Sequence, residues 1–238
     1  MNGGILIIGS LLWDPDQGAN KGARENWRKK KLNMDKKIHV FAPIRYGRQS
    51  NGSVSHTMVF SKEIETTGNL GTSFVVPFKN NPVSFVALLN QARELSKAEG
   101  SNDNKLVKGN RIKWCVIGIL FNPVFDVEKK EVILLKFANR LSADGIEKHY
   151  KNFKVGEEDS VLKENGEMDI EWPQTVNPKY QERLNNIDFI LATCPLPTVA
   201  VYPNSAAIQR GIEADDRDYF FNNIQYGITT FQDREIIL

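Results

Sequence analysis

Cysteine and histidine are scarce in this chain, with two and three copies among 238 residues. Cys115 and Cys194 each lie in an apolar run, WCVIGILF and FILATCPLP, the setting of a buried small hydrophobe. Two thiols supply neither a disulfide framework nor a zinc site, so a reducing cytoplasm is the expected compartment. His39, His56 and His149 are widely spaced and belong to no pattern such as H-E-x-x-H. No metal site is expected from them, and they read as structural or surface histidines. Charge of one sign is missing too: 31 basic and 29 acidic residues leave +2. That balance gives no field able to hold a polyanion by counterion release, so nucleic acid is not an expected partner. The one basic run, Arg28 to Lys31 with Lys36 and Lys37, has no aromatic platform beside it and reads as a solvated helix face and loop. No apolar stretch approaches the ~20 residues that cross a bilayer, and no membrane partner is expected. Gly4 to Leu12 lacks a preceding basic region and reads as a core strand, not a signal peptide.

Linkers rich in Pro, Gly or Ser and internal repeats are also absent, which favours one domain over residues 1–238. Hydrophobic content of 41% is ample for a substantial core. Ile5 to Ile8 form a continuous β-branched run ended by Gly9 and Ser10, the pattern of a buried strand entering a turn. His39 to Ile44, Ser55 to Ser61 and Leu70 to Phe78 are further strand candidates, the first ending near Pro43. Phe85, Leu88, Leu89, Ala92 and Leu95 fall at helical spacing between an N-cap candidate, Ser84, and a stop at Gly100. Trp114 to Phe121 reads as a strand, whereas Val132 to Leu141 fits a strand or a helix. Residues 155–171 are acidic, lack an apolar period and read as an exposed excursion. A strand (FILATC), a helix capped by Ser205, a helix around Asp216 to Tyr226 and a closing strand from Ile228 to Phe231 complete the chain. Tyr219, Phe220, Phe221, Tyr226 and Phe231 enrich this tail in aromatics that serve as core or as a partner surface; helical spacing favours core. The expected class is α+β, with a mixed, barrel-like β-sheet and flanking helices.

Several chemistries lack their motif. The Ser10 turn is followed by Leu11, Leu12 and Trp13, not by the x-G of a nucleophile elbow, so Ser10 reads as a turn residue. Neither a P-loop nor a dinucleotide fingerprint follows the first strand. What does follow it is GSLLWDP, with Arg45 and Arg48 later in PIRYGRQS. A glycine at the end of a buried strand lets backbone N–H groups point into a cavity, where they can hold a carboxylate or a developing oxyanion. The alternative is a tight turn leaving a core strand.

The order of these segments resembles the gamma-glutamylcyclotransferase family and its branches acting on glutathione or gamma-glutamyl amines. That family carries a Y-G-S-[LN] loop after its first strand, often followed by an apolar residue and Trp; residues 8–13 read IGSLLW, with Ile8 in place of the tyrosine. PIRYGRQS before SHTMVFS is similar to the family's Arg-rich segment, and LGTSFVVPF to its G-x-x-[FY] strand. The family's acid–base glutamate lies in L-D-x-x-E-G or L-D-x-R-E; LSKAEG places Leu95 and Glu99 at that spacing, with Ser96 replacing the aspartate. The resemblance covers residues 4–125 and leaves 126–238 as an unassigned extension on the same core. It implies release of 5-oxoproline from a small gamma-glutamyl substrate without a cofactor, with Glu99 as acid–base residue and Glu94 in reserve. Gly9, Ser10, Leu11 and Leu12 would bind substrate, and Arg45 or Arg48 would pair with its carboxylate. The replaced tyrosine and aspartate keep a second reading open, a non-catalytic small-molecule-binding protein of the same fold. The amine half of the substrate and the oligomeric state are not legible.

Overall fold

A computed structural model describes residues 1–15, 22–49, 54–101, 105–106, 114–145, 150–214 and 217–236. His149 and Asp216, named above, lie outside the described residues. The first strand is β1 (Gly3–Ile7), every residue of which is buried. A single 3-10 turn at Ser10–Leu12 follows, then helix α1 (Ala23–Lys31). Next come β2 (Ile38–Ala42), a break at Pro43, and the hairpin of β3 (Ile44–Gln49) with β4 (His56–Phe60). The middle of the chain supplies α2 (Lys62–Thr67), β5 (Gly71–Pro77), α3 (Phe85–Ala98), β6 (Cys115–Phe121) and α4 (Val127–Ala143). The last third contributes α5 (Gln181–Asn185), β7 (Phe189–Pro195), α6 (Ser205–Ala214), α7 (Arg217–Gln225) and α8 (Asp233–Ile236).

Five strands form one mixed sheet in the order β2-β5-β1-β7-β6, with β3 and β4 as a separate pair. Among the described strands only β1 and β7 pair in parallel, in a register that sets Leu6 beside Ala192. The class is therefore α+β with a mixed sheet and flanking helices. The barrel-like closure expected from the sequence is not found: the sheet stays open, with β2 and β6 at its edges. Irregular segments cover those edges and so satisfy groups that would template aggregation. Residues 174–176 bond to β2 through Phe41 N–H to Gln174 O (2.8 Å) and Val176 N–H to His39 O (3.0 Å). On the other side Ile119 N–H meets Gly166 O at 3.0 Å, and Met168 N–H meets Ile119 O at 2.8 Å.

That second cover corrects the reading of 155–171 as an exposed excursion. Val155, Val161, Leu162, Met168 and Ile170 are buried, with Val161 only 2% exposed. Their irregular spacing hides them from periodicity, and Glu158 pins the segment by accepting from Ser61 Oγ (2.8 Å) and from the amides of Val155 and Glu63. The closing strand at 228–231 is likewise reduced to one bridge, Thr229 to Thr72, before the chain turns into α8. Val132 to Leu141 resolves as part of α4, capped by the Asp126 carboxylate on Lys129 N–H at 2.9 Å. The first turn of α6 is capped by Asn204, not Ser205: Asn204 Oδ1 accepts from Ala207 N–H at 2.9 Å. Buried apolar residues from Ile5 to Ile228 make one contiguous cluster, to which the first and last thirds of the chain both contribute. Among the described residues no helix is long and apolar enough to cross a membrane.

β4 starts with His56, whose Nδ1 is buried without a hydrogen-bond partner. Burial disfavours the imidazolium and lowers the pKa from its ordinary 6.5. A depressed folded-state value means stability that is complete above about 6.5 and lost as pH falls towards that lowered value, because the unfolded chain takes up the proton first. Melting temperature measured from pH 8 to 5 is expected to fall more steeply for wild type than for His56→Gln; parallel curves would contradict this.

Candidate active site

The loop after β1 is shaped by its own backbone and by two arginines of α1. Leu12 N–H returns to Gly9 O (3.1 Å), while Trp13 and Asp14 N–H both return to Ser10 O (3.1 and 2.8 Å). The amides of Ser10 and Leu11 stand at the start of this turn, where helical geometry leaves donors unsatisfied. Of the expected Gly9 to Leu12 set, Leu12 is therefore taken out: its amide is consumed within the turn and its side chain is buried in the core. The loop carbonyls go to Arg28, which donates to Leu11 O (2.7 Å) and Asp14 O (2.9 Å) and is only 7% exposed. Burial pulls the Arg28 pKa down from its ordinary value. Arg28 thus leaves the solvated basic face to which the sequence assigned it.

One helical turn earlier on α1, Arg24 joins the loop to the end of α3. Its Nη1 reaches Asp14 Oδ2 at 2.6 Å and Ser10 Oγ at 3.2 Å; Nε donates to Ala98 O at 3.0 Å, and Nη2 lies 3.4 Å from Glu99 Oε2. Glu99 is the C-cap residue of α3 and is 8% exposed. Its placement follows from a Schellman closure, with Ser101 N–H on Ser96 O (3.0 Å) and Gly100 N–H on Lys97 O (2.8 Å). That closure needs the left-handed φ of +84° which Gly100 adopts without penalty. At the other end of the helix the Ser84 hydroxyl accepts from Ala87 N–H, as expected.

Gly9, Ser10, Leu11, Arg24 and Glu99 line one cavity of about 220 Å³. Its other walls come from Leu6 and Ile7 of β1, Ile8 just after it, Thr57 and Met58 of β4, Trp114 before β6, Thr193 and Pro195 of β7, and Tyr219 of α7. The loop and a glutamate of LSKAEG therefore face a common space. Glu94 does not: one turn back on α3, it pairs with Lys31 (3.5 Å) and Lys97 (3.2 Å) in a shallow groove against α1. Neither expected arginine is a wall residue. Arg45 pairs with Glu63 at 2.7 Å and lies 3.8 Å over the Tyr202 ring, while Arg48 donates to Leu196 O and lies 4.3 Å over the Trp114 ring. Arg48 thus backs a wall residue without forming the wall. The cation in the cavity is Arg24, whose signal in the sequence is the i, i+4 spacing of Arg24 and Arg28 on either side of buried Trp27.

Residues beyond 125 complete the enclosure. Trp13 Nε1 donates to Asn223 Oδ1 of α7 at 2.9 Å, and its ring lies 6.4 Å from Tyr219 and 6.5 Å from Tyr226. Tyr219 and Tyr226 thus flank the loop, but the core role expected of the aromatic tail holds fully only for Phe220: Phe221 and Tyr226 are 56% and 43% exposed, because they fall on the outer face of α7 and the turn after it. Among the described residues no three His, Cys, Asp or Glu side chains gather to hold a metal ion. Cys115 and Cys194 are buried and form no disulfide, and burial raises the Cys194 thiol to about 12, which leaves it protonated and poorly nucleophilic. Comparison of the chain with protein-family models, with curated proteins and with solved structures finds no match.

Gly9 matters here through close approach: a Cβ on it would sit 2.9 Å from the Tyr219 hydroxyl. Gly9→Ala is expected to cost about 1–3 kcal/mol by overpacking. Chemical denaturation of the double-mutant cycle should show Gly9→Ala costing less in a Tyr219→Phe background. Equal losses in both backgrounds would mean the clash is not with that hydroxyl.

Proposed function

We propose that this cavity binds a compact gamma-glutamyl compound and that Glu99 serves as the acid–base group in release of 5-oxoproline. The observation that carries the reading is the shared cavity of Glu99 and the Gly9–Leu11 loop. Its volume is below the roughly 300–1,000 Å³ of pockets for drug-sized ligands, which suits a small acyl group.

The chemistry asks for what these residues offer. The substrate's alpha-amine nitrogen attacks its own gamma-carbonyl carbon, the new C–N bond closes a five-membered lactam, and the old C–N bond to the leaving amine breaks. The enzyme needs chiefly to hold a folded conformation in which the two groups touch. Glu99 accepts the proton of the attacking amine and returns it to the leaving amine, so no covalent nucleophile and no redox partner is required. In this reading the Ser10 and Leu11 amides, on two residues that line the cavity, bind a carboxylate or the oxygen that gains charge during attack. Arg24 is a positioning residue: its contacts with Ala98 O, Glu99 and Asp14 fix the carboxylate relative to the loop, and Asp14 balances its charge. The leading family resemblance, the mixed-sheet fold and this geometry support one reading.

A second reading, a binding protein without turnover, is favoured by one observation. Glu99 is already engaged by Arg24, as a purely structural carboxylate would be. Incubation with a panel of gamma-glutamyl amines and peptides separates the two, with 5-oxoproline as the measured product. Glu99→Gln is expected to lower kcat by about 10²–10⁴-fold with the fold retained, whereas Glu94→Gln leaves it unchanged. Thermal stabilisation by these compounds without any product would favour the binding protein, and full activity of Glu99→Gln would reject the assigned role.

A further inference from the structure

Thr193 lies on β7, between β1 and β6 in the sheet, where the parallel pairing with β1 brings it to the level of the loop. It lines the cavity and is 6% exposed, and its Oγ1 is buried with no hydrogen-bond partner. Most buried hydroxyls in folded proteins are satisfied, often by a nearby backbone carbonyl. An orphaned hydroxyl on an otherwise closely packed strand destabilises the empty protein, and a valine would fill the same space without that penalty. Neighbouring β7 positions are apolar: Leu191 and Ala192 precede it and Cys194 follows it.

We infer that Thr193 Oγ1 is a ligand-reading group that donates a hydrogen bond to a carboxylate or carbonyl oxygen of the small acid bound in the cavity. The polar wall then divides its work. Glu99 is the acceptor, suited to the ligand's amine, and Arg24 is held by Asp14, Ser10 and Ala98. Thr193 supplies a donor from the opposite end of the chain, next to the apolar surfaces of Met58, Trp114 and Pro195. An oxygen placed there by a ligand satisfies the hydroxyl, so that binding recovers what the empty fold lacks. The inference rests on the cavity being the site of the proposed reaction, but its test does not need turnover.

The test compares wild type, Thr193→Val and Thr193→Ser by thermal melting, alone and with millimolar 5-oxoproline or L-glutamate, and by turnover of the gamma-glutamyl panel. Without ligand, Thr193→Val is expected to melt at the wild-type temperature or about 2–4 °C above it, as removal of an unsatisfied group predicts. With ligand, its stabilisation should be reduced and its kcat/KM lowered about tenfold or more, while Thr193→Ser keeps both. A Thr193→Val protein that melts well below wild type and is rescued by serine would show the hydroxyl to be structural and overturn the inference. So would wild-type ligand shifts and turnover in Thr193→Val. Binding that depends on Thr193 with no product from any compound would sink the proposed reaction and leave the inference standing. Absence of any shift or product with wild type would count against both.

Discussion

Two guanidinium groups, one helical turn apart on α1, hold the loop after β1 against the end of α3. Arg28 takes the outward carbonyls of Leu11 and Asp14, and Arg24 takes Ala98 O, Asp14 and Glu99. Both ends being joined are rich in backbone groups that regular structure leaves unsatisfied, the first amides of a 3-10 turn and the last carbonyls of a helix. Placing arginine there is costly in desolvation, and it is offset because charge-assisted hydrogen bonds are worth about 1.5–3 kcal/mol each. Leu12, Trp13 and Asp14 N–H are spent within the turn, so Ser10 and Leu11 carry the amides that its start leaves over. The relative position of Glu99 and the Ser10 and Leu11 amides depends on this bracket.

The second half of the chain closes the site that the first half opens. Parallel pairing of β7 with β1 sets Thr193 and Pro195 in one wall, and α7 lowers Tyr219 onto Gly9 while Asn223 holds Trp13. Stability and the proposed chemistry meet at those residues. Gly9 is small because a phenol stands over it, and Glu99 is immobilised because the Schellman closure at Gly100 and the Arg24 bracket both fix its backbone. Thr193, Pro195 and Tyr219, all beyond residue 125, are thus walls of the cavity.

Local pattern made much of this legible. The buried run at Ile5 to Ile8, the cap and stop of α3, and the apolar strand at Trp114 to Phe121 each carry their signal within a dozen residues. Glu99 was reached only through the resemblance of LSKAEG to a family motif, while Gly100 marked the end of the helix that carries it. Arg24, Thr193 and Tyr219 were not: Arg24 reaches Glu99 75 positions away, Tyr219 stands over Gly9 across 210 positions, and Thr193 reaches the cavity only through the pairing of β7 with β1. Arg45 and Arg48 misled for a related reason: an arginine near an expected strand says nothing about which face it takes, and here aromatic rings and Glu63 claim them. The acidic composition of 155–171 concealed buried apolar residues whose spacing follows no element.

The most direct measurement is a crystal structure of the protein with 5-oxoproline bound. The proposed reaction requires the ligand between the loop and α3, its carboxylate on the Ser10 and Leu11 amides and its ring N–H, the former alpha-amine, within hydrogen-bonding reach of Glu99. Ligand bound elsewhere on the molecule, or in this cavity with its nitrogen turned away from every carboxylate, would contradict it.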